Sequence, residues 1–486
     1  MSLSSAISNA LSGVTAATRG TEVVSTNVAN KSVAGYARRE LDLSSRVYAA
    51  NGGGVHVDGV RRAIDAGLLA DNRLAQASSA RSDAVAAFHL SMETAFGTAN
   101  NNASLTSQLS QFDAAITSAT SRPDSEVRLN AVLETAQSLA GKINGISDTL
   151  SAARLTADKT IAKSVQSLNT ALERVAELNR QITVTTAQGR DASSLIDARQ
   201  TTIDQISAIV PVQEVLRENG RVALFTKGGA TLLDGTRPLT IGFTASGTIT
   251  PDMTAENGAL SLLSLNGEPL DSGEMAAFSG GSLAAQFQIR DKLAPEYQTQ
   301  IDALARDLYQ RLADPAVDTT LTAGQPGIFT DSQAALLPAN ELGFAGRIAV
   351  SNSISPDQGG DLWRIRTGLN AADQGNVGDS STLVRLGAAL AASQAPASAQ
   401  LGTTPRTLLG LASELASTAA SGRLRSETVA TQDRTQADGL RTALLAQGVD
   451  TDAEMEALLA LERAYAANAK VLQTANDMLD QILRLT

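Results

Sequence analysis

Residues 3–30 read LSSAISNALSGVTAATRGTEVVSTNVAN. Within them Leu3, Ile7, Ala10, Val14, Ala17, Thr21, Val24 and Val28 are spaced four, three, four, three throughout, and Leu11 widens the stripe. That is the period of a helix with one seam for a partner helix, about 40 Å long at the usual rise per residue. Ala and Thr at several seam positions make it weak, so this helix is expected to order against a partner rather than alone. The other end of the chain mirrors it. Leu458, Leu461, Tyr465, Asn468, Leu472, Ala475, Leu479 and Ile482 again alternate three and four, and Val471, Met478 and Leu485 broaden the face. Asn468 is placed to fix register, as a seam Asn does in other coiled coils. Two helical segments, Met1 to about Arg39 and about Ala457 to Thr486, therefore frame the chain and are expected to pair.

Bulk composition fits this frame. At 486 residues the chain is long enough for two to four domains. Apolar residues make up 43% but aromatics only 3%, so the cores must be built from Ala, Leu, Val and Ile, which suits long helices packed side by side. With 39 basic and 50 acidic residues the net charge is −11, and the longest basic runs are the pairs Arg38-Arg39 and Arg61-Arg62. A protein that grips nucleic acid by neutralising phosphates should be basic, at least locally, so nucleic-acid binding is not expected. The absence of cysteine excludes disulfides, thiolate metal sites and a cysteine nucleophile. The first residues carry no basic region followed by an apolar core, so no cleaved signal peptide is expected. No run approaches a membrane span.

Between the ends the texture changes several times. Asn27, Asn30, Gly35 and Tyr36 end the first helix in a polar turn. Tyr36 to Val60 reads as short extended pieces, with Asn51-Gly52-Gly53-Gly54 as a turn and Val55, Val57 leading to Asp58-Gly59. Helical periodicity resumes near Arg61, and Pro123 with Asp124, Ser125 and Glu126 marks a further helix start. From there to about Ala187 the pattern is that of a long rod, with a possible break between Leu150 and Lys159. Gln188 to Asp191 turns it back into a helix over Ser194 to Ile209. Val212 to Arg217, Asn219-Gly220 and Val222 to Thr226 form a strong hairpin signal, and further turn pairs continue to about Asp271. Helix returns at about Gly281 to Ala313, an irregular stretch follows to about Leu369, and from Thr382 the chain reads as helical nearly to its end. The predicted fold is mainly α with an inserted small β domain. It divides into a terminal coiled-coil assembly domain (1–60 with 440–486), a long-helix body (61–210 with 280–439) and a small β-rich outer domain (211–279).

The turn after the first helix, Asn27-Val28-Ala29-Asn30-Lys31-Ser32-Val33-Ala34-Gly35-Tyr36, resembles the signature shared by flagellar rod, hook and hook-associated proteins. Gly35-Tyr36-Ala37-Arg38-Arg39 and Gly54-Val55-His56-Val57-Asp58-Gly59-Val60-Arg61-Arg62 look most like the hook-associated protein 1 family. Tyr465 to Ala475 resembles the matching tail signature. Internally, Leu195 to Arg199 and Gly281-Ser282-Leu283 are similar to that family's segments on either side of its β region. The resemblance implies a structural component of the bacterial flagellum at the hook–filament junction, extracellular and exported through the flagellar type III apparatus without a cleaved signal. It implies as partners the hook protein, a second junction protein on the filament side, further copies of itself in a ring, and a cytoplasmic export chaperone. The chaperone would bind the face of Leu458, Leu461, Tyr465, Leu472 and Leu479. The implied assembly residues are Leu3, Ile7, Leu11, Val14, Val24 and Val28 on the first helix. On the last they are Leu458, Leu461, Tyr465, Asn468, Leu472, Leu479 and Ile482. Asn27, Asn30, Gly35, Tyr36 and Arg38 form the turn between.

Other chemistries find little footing. His56 and His89 are far apart, too sparse for a histidine metal site or a catalytic triad. Gly52 to Gly54 lacks the Lys-Ser/Thr and following helix of a phosphate loop. Acidic residues are plentiful, but nothing in their spacing gathers two into one cleft. No catalytic residue, cofactor, metal or membrane insertion is expected. A hook or distal-rod protein shares both end signatures and stays open as an alternative, as does a flagellum-borne peptidoglycan hydrolase. The long helical region from Pro123 to Ile209 argues against the hook protein.

Overall fold

The computed structural model describes residues 3–33, 35–48, 51–98 and 101–485. Met1, Ser2, Ala34, Ala49, Ala50, Ala99, Asn100 and Thr486, which the sequence reading included in its end segments, signature turn and loops, lie outside the described residues.

The fold is mainly helical with small inserted sheets. Helix α1 (Leu3–Asn30) leads through a turn into a long antiparallel hairpin, β1 (Arg38–Tyr48) and β2 (Asn51–Ala63). The helical reading to Arg39 is thus corrected to Asn30, because Arg38 and Arg39 already pair with Ala63 and Arg62 across the hairpin. The glycine run expected as a turn lies in β2 instead. Gly54 takes φ +83° and lies against Ser12 of α1, whose hydroxyl accepts the Val55 N–H at 3.1 Å. A residue with Cβ would collide there, so the glycine lets the hairpin lie down on α1.

Helix α2 (Ala66–Phe96) starts later than Arg61 because Arg61 and Arg62 belong to β2. Its N-terminus is fixed by the Asp65 carboxylate, which accepts from the N–H groups of Gly67 and Leu68. After α3 (Leu105–Ser121) comes α4 (Glu126–Ala187), a single helix of 62 residues. The possible break at 150–159 is absent. The apolar pattern lapses there because Arg154 and Asp158 face inward: both are buried, and Asp158 pairs with the equally buried Arg290 at 2.6 Å. Helix α5 (Ser193–Ile209) turns back along α4.

The β region contains a four-stranded antiparallel sheet in the order β3 (Val212–Leu216), β4 (Val222–Thr226), β5 (Thr231–Asp234), β6 (Arg237–Pro238). A smaller sheet joins β7 (Ile241–Gly242), β8 (Ser264–Leu265) and β9 (Glu268–Pro269). The β3–β4 turn is the one its Asn-Gly pair announces, with φ of 58° at Asn219 and 71° at Gly220. A helical run then follows as α6 (Ser282–Gln288), a π turn (Ile289–Leu293) and α7 (Ala294–Leu312). The irregular stretch carries β10 (Phe329–Asp331), β11 (Ile348–Val350) and the single-turn α8 (Arg364–Thr367). The last part holds α9 (Ser381–Ala391), α10 (Leu408–Ala446) and α11 (Thr451–Leu485). The interruption between α9 and α10 contains Pro396 and Pro405, which withhold backbone donors from a continuing helix.

Two hydrophobic cores meet end to end along α4. One gathers α3, the first part of α4, α7, α9 and the start of α10 around Phe112, Ile143, Leu304 and Phe344. The other packs the second part of α4 and α5 against the sheets through Ile161, Leu168, Ile203, Leu224 and Leu233. The buried pair Arg290–Asp158 marks the level where one core gives way to the other.

Candidate assembly interface

The first and last helices pair in the folded chain, and their register is regular. Along α1, Gly13, Gly20 and Asn27 step up by seven; opposite them Asn468, Leu461 and Glu454 step down by seven. The pair is therefore antiparallel with a heptad repeat. Small side chains set how close it lies. A Cβ on Gly13 would fall 2.6 Å from the Asn468 amide, and one on Gly20 would fall 2.7 Å from a methyl of Leu461. Ala10, Ala17 and Val24 are buried in the same seam, and Ala475 is buried on α11.

This seam differs by one helical position from the one read in the sequence. Leu3, Ala10, Ala17 and Val24 belong to both. The alternate positions are filled by Gly13, Gly20 and Asn27 rather than Val14, Thr21 and Val28. Leu11 and Val28 are exposed, at 57% and 38%, while Leu3, Ile7 and Val14 are half-buried. A 3–4 alternation cannot by itself choose between two stripes one residue apart. Close packing chooses the smaller side chains, which let the helix axes approach. On α11, Leu461 and Asn468 meet α1 and Leu458 and Leu472 are half-buried. Tyr465, Leu479 and Ile482 stay exposed at 48%, 38% and 54%. Asn468 does not lock the register by a bond across the seam, since its amide donates to Ala464 O of its own helix at 2.8 Å.

The cross-helix bond lies at the opposite end of the pair, in the signature turn. Asn27 is buried, and its side chain is fully used. Its Nδ2 donates to Glu454 Oε2 at 3.1 Å and to Arg39 O at 2.9 Å; its Oδ1 accepts from Tyr36 Oη at 2.8 Å and from Arg39 N at 2.9 Å. Glu454 is 1% exposed, and its other oxygen takes Arg38 Nε at 2.7 Å. That bond to Glu454 holds the Arg38 guanidinium above its ordinary pKa. Burial pushes the Tyr36 hydroxyl up from its usual value, and Arg39 stacks 5.0 Å over its ring. Gly35, at φ +80°, passes so close to the Thr201 side chain of α5 that a Cβ would collide. Asn30 acts locally, donating to Thr26 O at 2.8 Å.

A second group of charges ties the hairpin base to the body. Asp197 of α5 receives Arg62 at 2.8 Å and Arg39 at 3.3 Å. Glu454, Asp197 and Arg62 escape a reading based on apolar period. The signal that finds Glu454 is its position one heptad before Leu461, where an acid interrupts an apolar seam. Between α1, α11 and the hairpin runs a groove of about 500 Å³, lined mainly by Ala16, Ala17, Leu41, Leu43, Ala460 and Ala464. Together these elements present helix faces and a groove suited to packing against other chains.

The remaining candidates are structural. His56 is exposed on β2 with its Nδ1 2.9 Å from Arg46. His89 lies 3.2 Å from Tyr297 Oη, and burial pulls its pKa down. Among the described residues no group of three or more His, Cys, Asp or Glu is arranged to hold a metal ion, and no helix is long and apolar enough to cross a membrane.

Residues 441–485 match the family model described as "Flagellar basal body rod FlgEFG protein C-terminal". That span is the end of α10 and all of α11, so the last helix of the terminal pair is similar to the C-terminal part of flagellar axial proteins. Residues 90–327, which run from the end of α2 through α7 and include the sheets of β3–β9, match the model described as "Flagellar hook-associated protein FlgK helical domain". Over that span, just under half of its length, the chain is similar to the flagellar hook-associated protein 1 family. Its relative of that name in Escherichia coli is 24% identical over 553 residues, covering 99% of this chain and 100% of the other. The Bacillus subtilis protein is 23% identical, covering 94% and 93%. The Salmonella typhimurium protein is 28% identical over 240 residues, and there the match spans 48% of this chain and only 43% of the relative. Among solved structures, the flagellar hook junction protein FlgK from Burkholderia pseudomallei is similar at 17% identity with a TM-score of 0.45, covering 54% of this chain and 46% of that one.

Proposed function

We propose that this protein is a structural, non-catalytic component of the bacterial flagellum at the hook–filament junction, assembling at the hook tip and connecting hook to filament. The observation that carries this reading is the terminal pair: a seam closed by small residues, locked at Asn27–Glu454, that leaves Leu11, Tyr465, Met478 and Leu479 outward and exposed. Apolar side chains left outward on a helix pair backed by one hairpin are suited to packing on neighbours. In this reading the neighbours are the hook protein, further copies of this chain in a ring, and a second junction protein on the filament side. Before assembly the outward face of α11, around Tyr465 and Leu479, is available to a cytoplasmic export chaperone. Export through the flagellar apparatus without a cleaved signal completes the scheme.

The test is truncation before Leu458 in the native bacterium, with flagella inspected by electron microscopy. The expected result is hooks that form but carry no filament. Normal filaments on the truncated strain would refute the assignment.

A further inference from the structure

Where the hairpin base, α2, α5 and β3 come together, the fold encloses a cavity of about 490 Å³. Its polar lining is unusual for a chain of net charge −11. Three arginines, Arg62, Arg73 and Arg199, line it with Gln200 and a single carboxylate, Glu214. Arg73 and Arg199 are each only 3% exposed. A buried guanidinium needs its donors satisfied, and one donor of Arg73 is not. Arg73 gives Nε to Asp204 at 2.6 Å and Nη1 to Glu214 at 2.8 Å, which leaves Nη2 buried without a partner among the described residues. Arg199 gives Nη1 to Asn179 Oδ1 at 2.9 Å and to Gly220 O at 2.7 Å. Arg62 is the best matched, held by Asp197 and by Gln200 Oε1, the latter at 2.5 Å.

The electrostatics point the same way. Burial pulls Arg199 down to about 10, with Arg62 and Arg73 adding repulsion against the help of Glu214. Burial also pushes the carboxyl of Asp204 up, against the pull of Arg73. Within a mainly apolar wall, the polar lining groups are rich in donors with Glu214 as the one carboxylate, and the cationic groups crowd one another.

We infer that this cavity is a binding site for a small multivalent oxyanion of the phosphate class, gripped by Arg73 and Arg199 with Arg62 and Gln200 beside them. Guanidinium groups arriving from β2, α2 and α5 approach from separate directions. That arrangement suits a tetrahedral anion better than one planar carboxylate, which a single fork satisfies. The site joins the hairpin base to α2, α5 and β3, so an anion there fastens the assembly end of the molecule to its body. This inference stands apart from the proposed flagellar role.

The test uses the full chain and inorganic phosphate, with chloride at matched ionic strength as the reference. Thermal melting and isothermal titration calorimetry are the two measurements. A ligand that binds only the folded state raises its melting temperature, and the expected rise at 10 mM phosphate over chloride is on the order of 2 °C or more. Arg199→Gln should abolish the rise. Glu214→Gln, which removes the one lining carboxylate, should tighten phosphate binding several-fold even if it lowers the baseline melting temperature. A merely structural role for the cluster would give no such tightening. Equal behaviour in phosphate and chloride would overturn the site, and so would phosphate affinity unaltered in both variants.

Discussion

Two of the antiparallel helix pairs among the described residues are built differently. The body pair, α2 with α10, closes on large side chains at its core end and on Ala75, Ala77, Ala430 and Ala437 beyond it. Phe88, Met92 and Phe96 from one helix and Leu408, Leu411 and Leu415 from the other enter the main core, and Arg423–Glu93 at 2.6 Å fastens their edge. The terminal pair, α1 with α11, closes on Gly13, Gly20, Ala10 and Ala17, with Asn27–Glu454 as its polar lock. The periodicity is similar, but the burial is not. The large side chains with which the body pair enters the main core are enclosed, although Leu90, Leu424 and Leu445 on the same two helices stand outward; in the terminal pair the seam is small and Leu11, Tyr465 and Leu479 stand outward. The lesson is that a heptad pattern reports the existence of a helix pair but not where its apolar energy is deposited. At the core end of the body pair that energy is collected within the chain; at the terminus much of the large apolar surface stays exposed, as the proposed assembly role requires.

This contrast can be pressed at three points. The largest effect is expected from Leu411→Ala in α10, fully buried in the main core. It should lower unfolding stability by about 2–5 kcal/mol, read by urea denaturation. A loss below about 1 kcal/mol, the size expected of a half-exposed position, would erase the distinction between the pairs.

Next comes a pH effect confined to the body. Asp302 is buried on α7 and accepts N–H bonds from Gly343 and Ala345, each at 2.7 Å. Burial nevertheless pushes its carboxyl up to about 6. Between about pH 4 and 6 the folded chain keeps a proton that the unfolded chain has already lost. The contribution of this group to stability is therefore full below about 4 and is lost as pH rises through about 6. Its full size is about 3 kcal/mol, from about two pKa units. Urea midpoints across this range should fall with rising pH more steeply in the native protein than in Asp302→Asn. Parallel slopes would contradict the assignment.

The smallest change in global stability should follow Gly13→Leu, which forces a side chain into the Asn468 amide. Circular dichroism should show loss of helix from the terminal pair, while the main melting transition moves by less than about 0.5 kcal/mol equivalent. A large shift of the main transition would mean that the terminal pair and the body fold as one unit.

Much of this organisation is legible from residues alone. The heptad spacing at both ends, the Asn219-Gly220 hairpin and the long rod after Pro123 each rest on local rules of period and turn chemistry. Less legible were features set by partners distant in sequence. The lapse in pattern at Arg154 and Asp158 resembles a helix break until Arg290 is brought alongside. The glycine run at 52–54 resembles a turn until α1 lies beneath it. Glu454 resembles one more solvated acid on a helix until Asn27 and Arg38, more than 400 positions away, close on it.

The sequence by itself determined that the chain ends are helices with one seam each, that the middle is helical with a small β insertion, and that the signature turn follows Asn27. Those conclusions depend on spacing within a few residues, where steric and hydrogen-bonding preferences are local. Tertiary structure alone decided which of two adjacent stripes closes the terminal pair, that the pair runs antiparallel with Gly13 on Asn468, and that Asn27 and Glu454 hold its register. It also decided which large side chains remain outward. Both stripes satisfy the same period, so only the close approach of two real helices, which admits glycine and alanine and turns Leu11 and Val28 away, could choose between them.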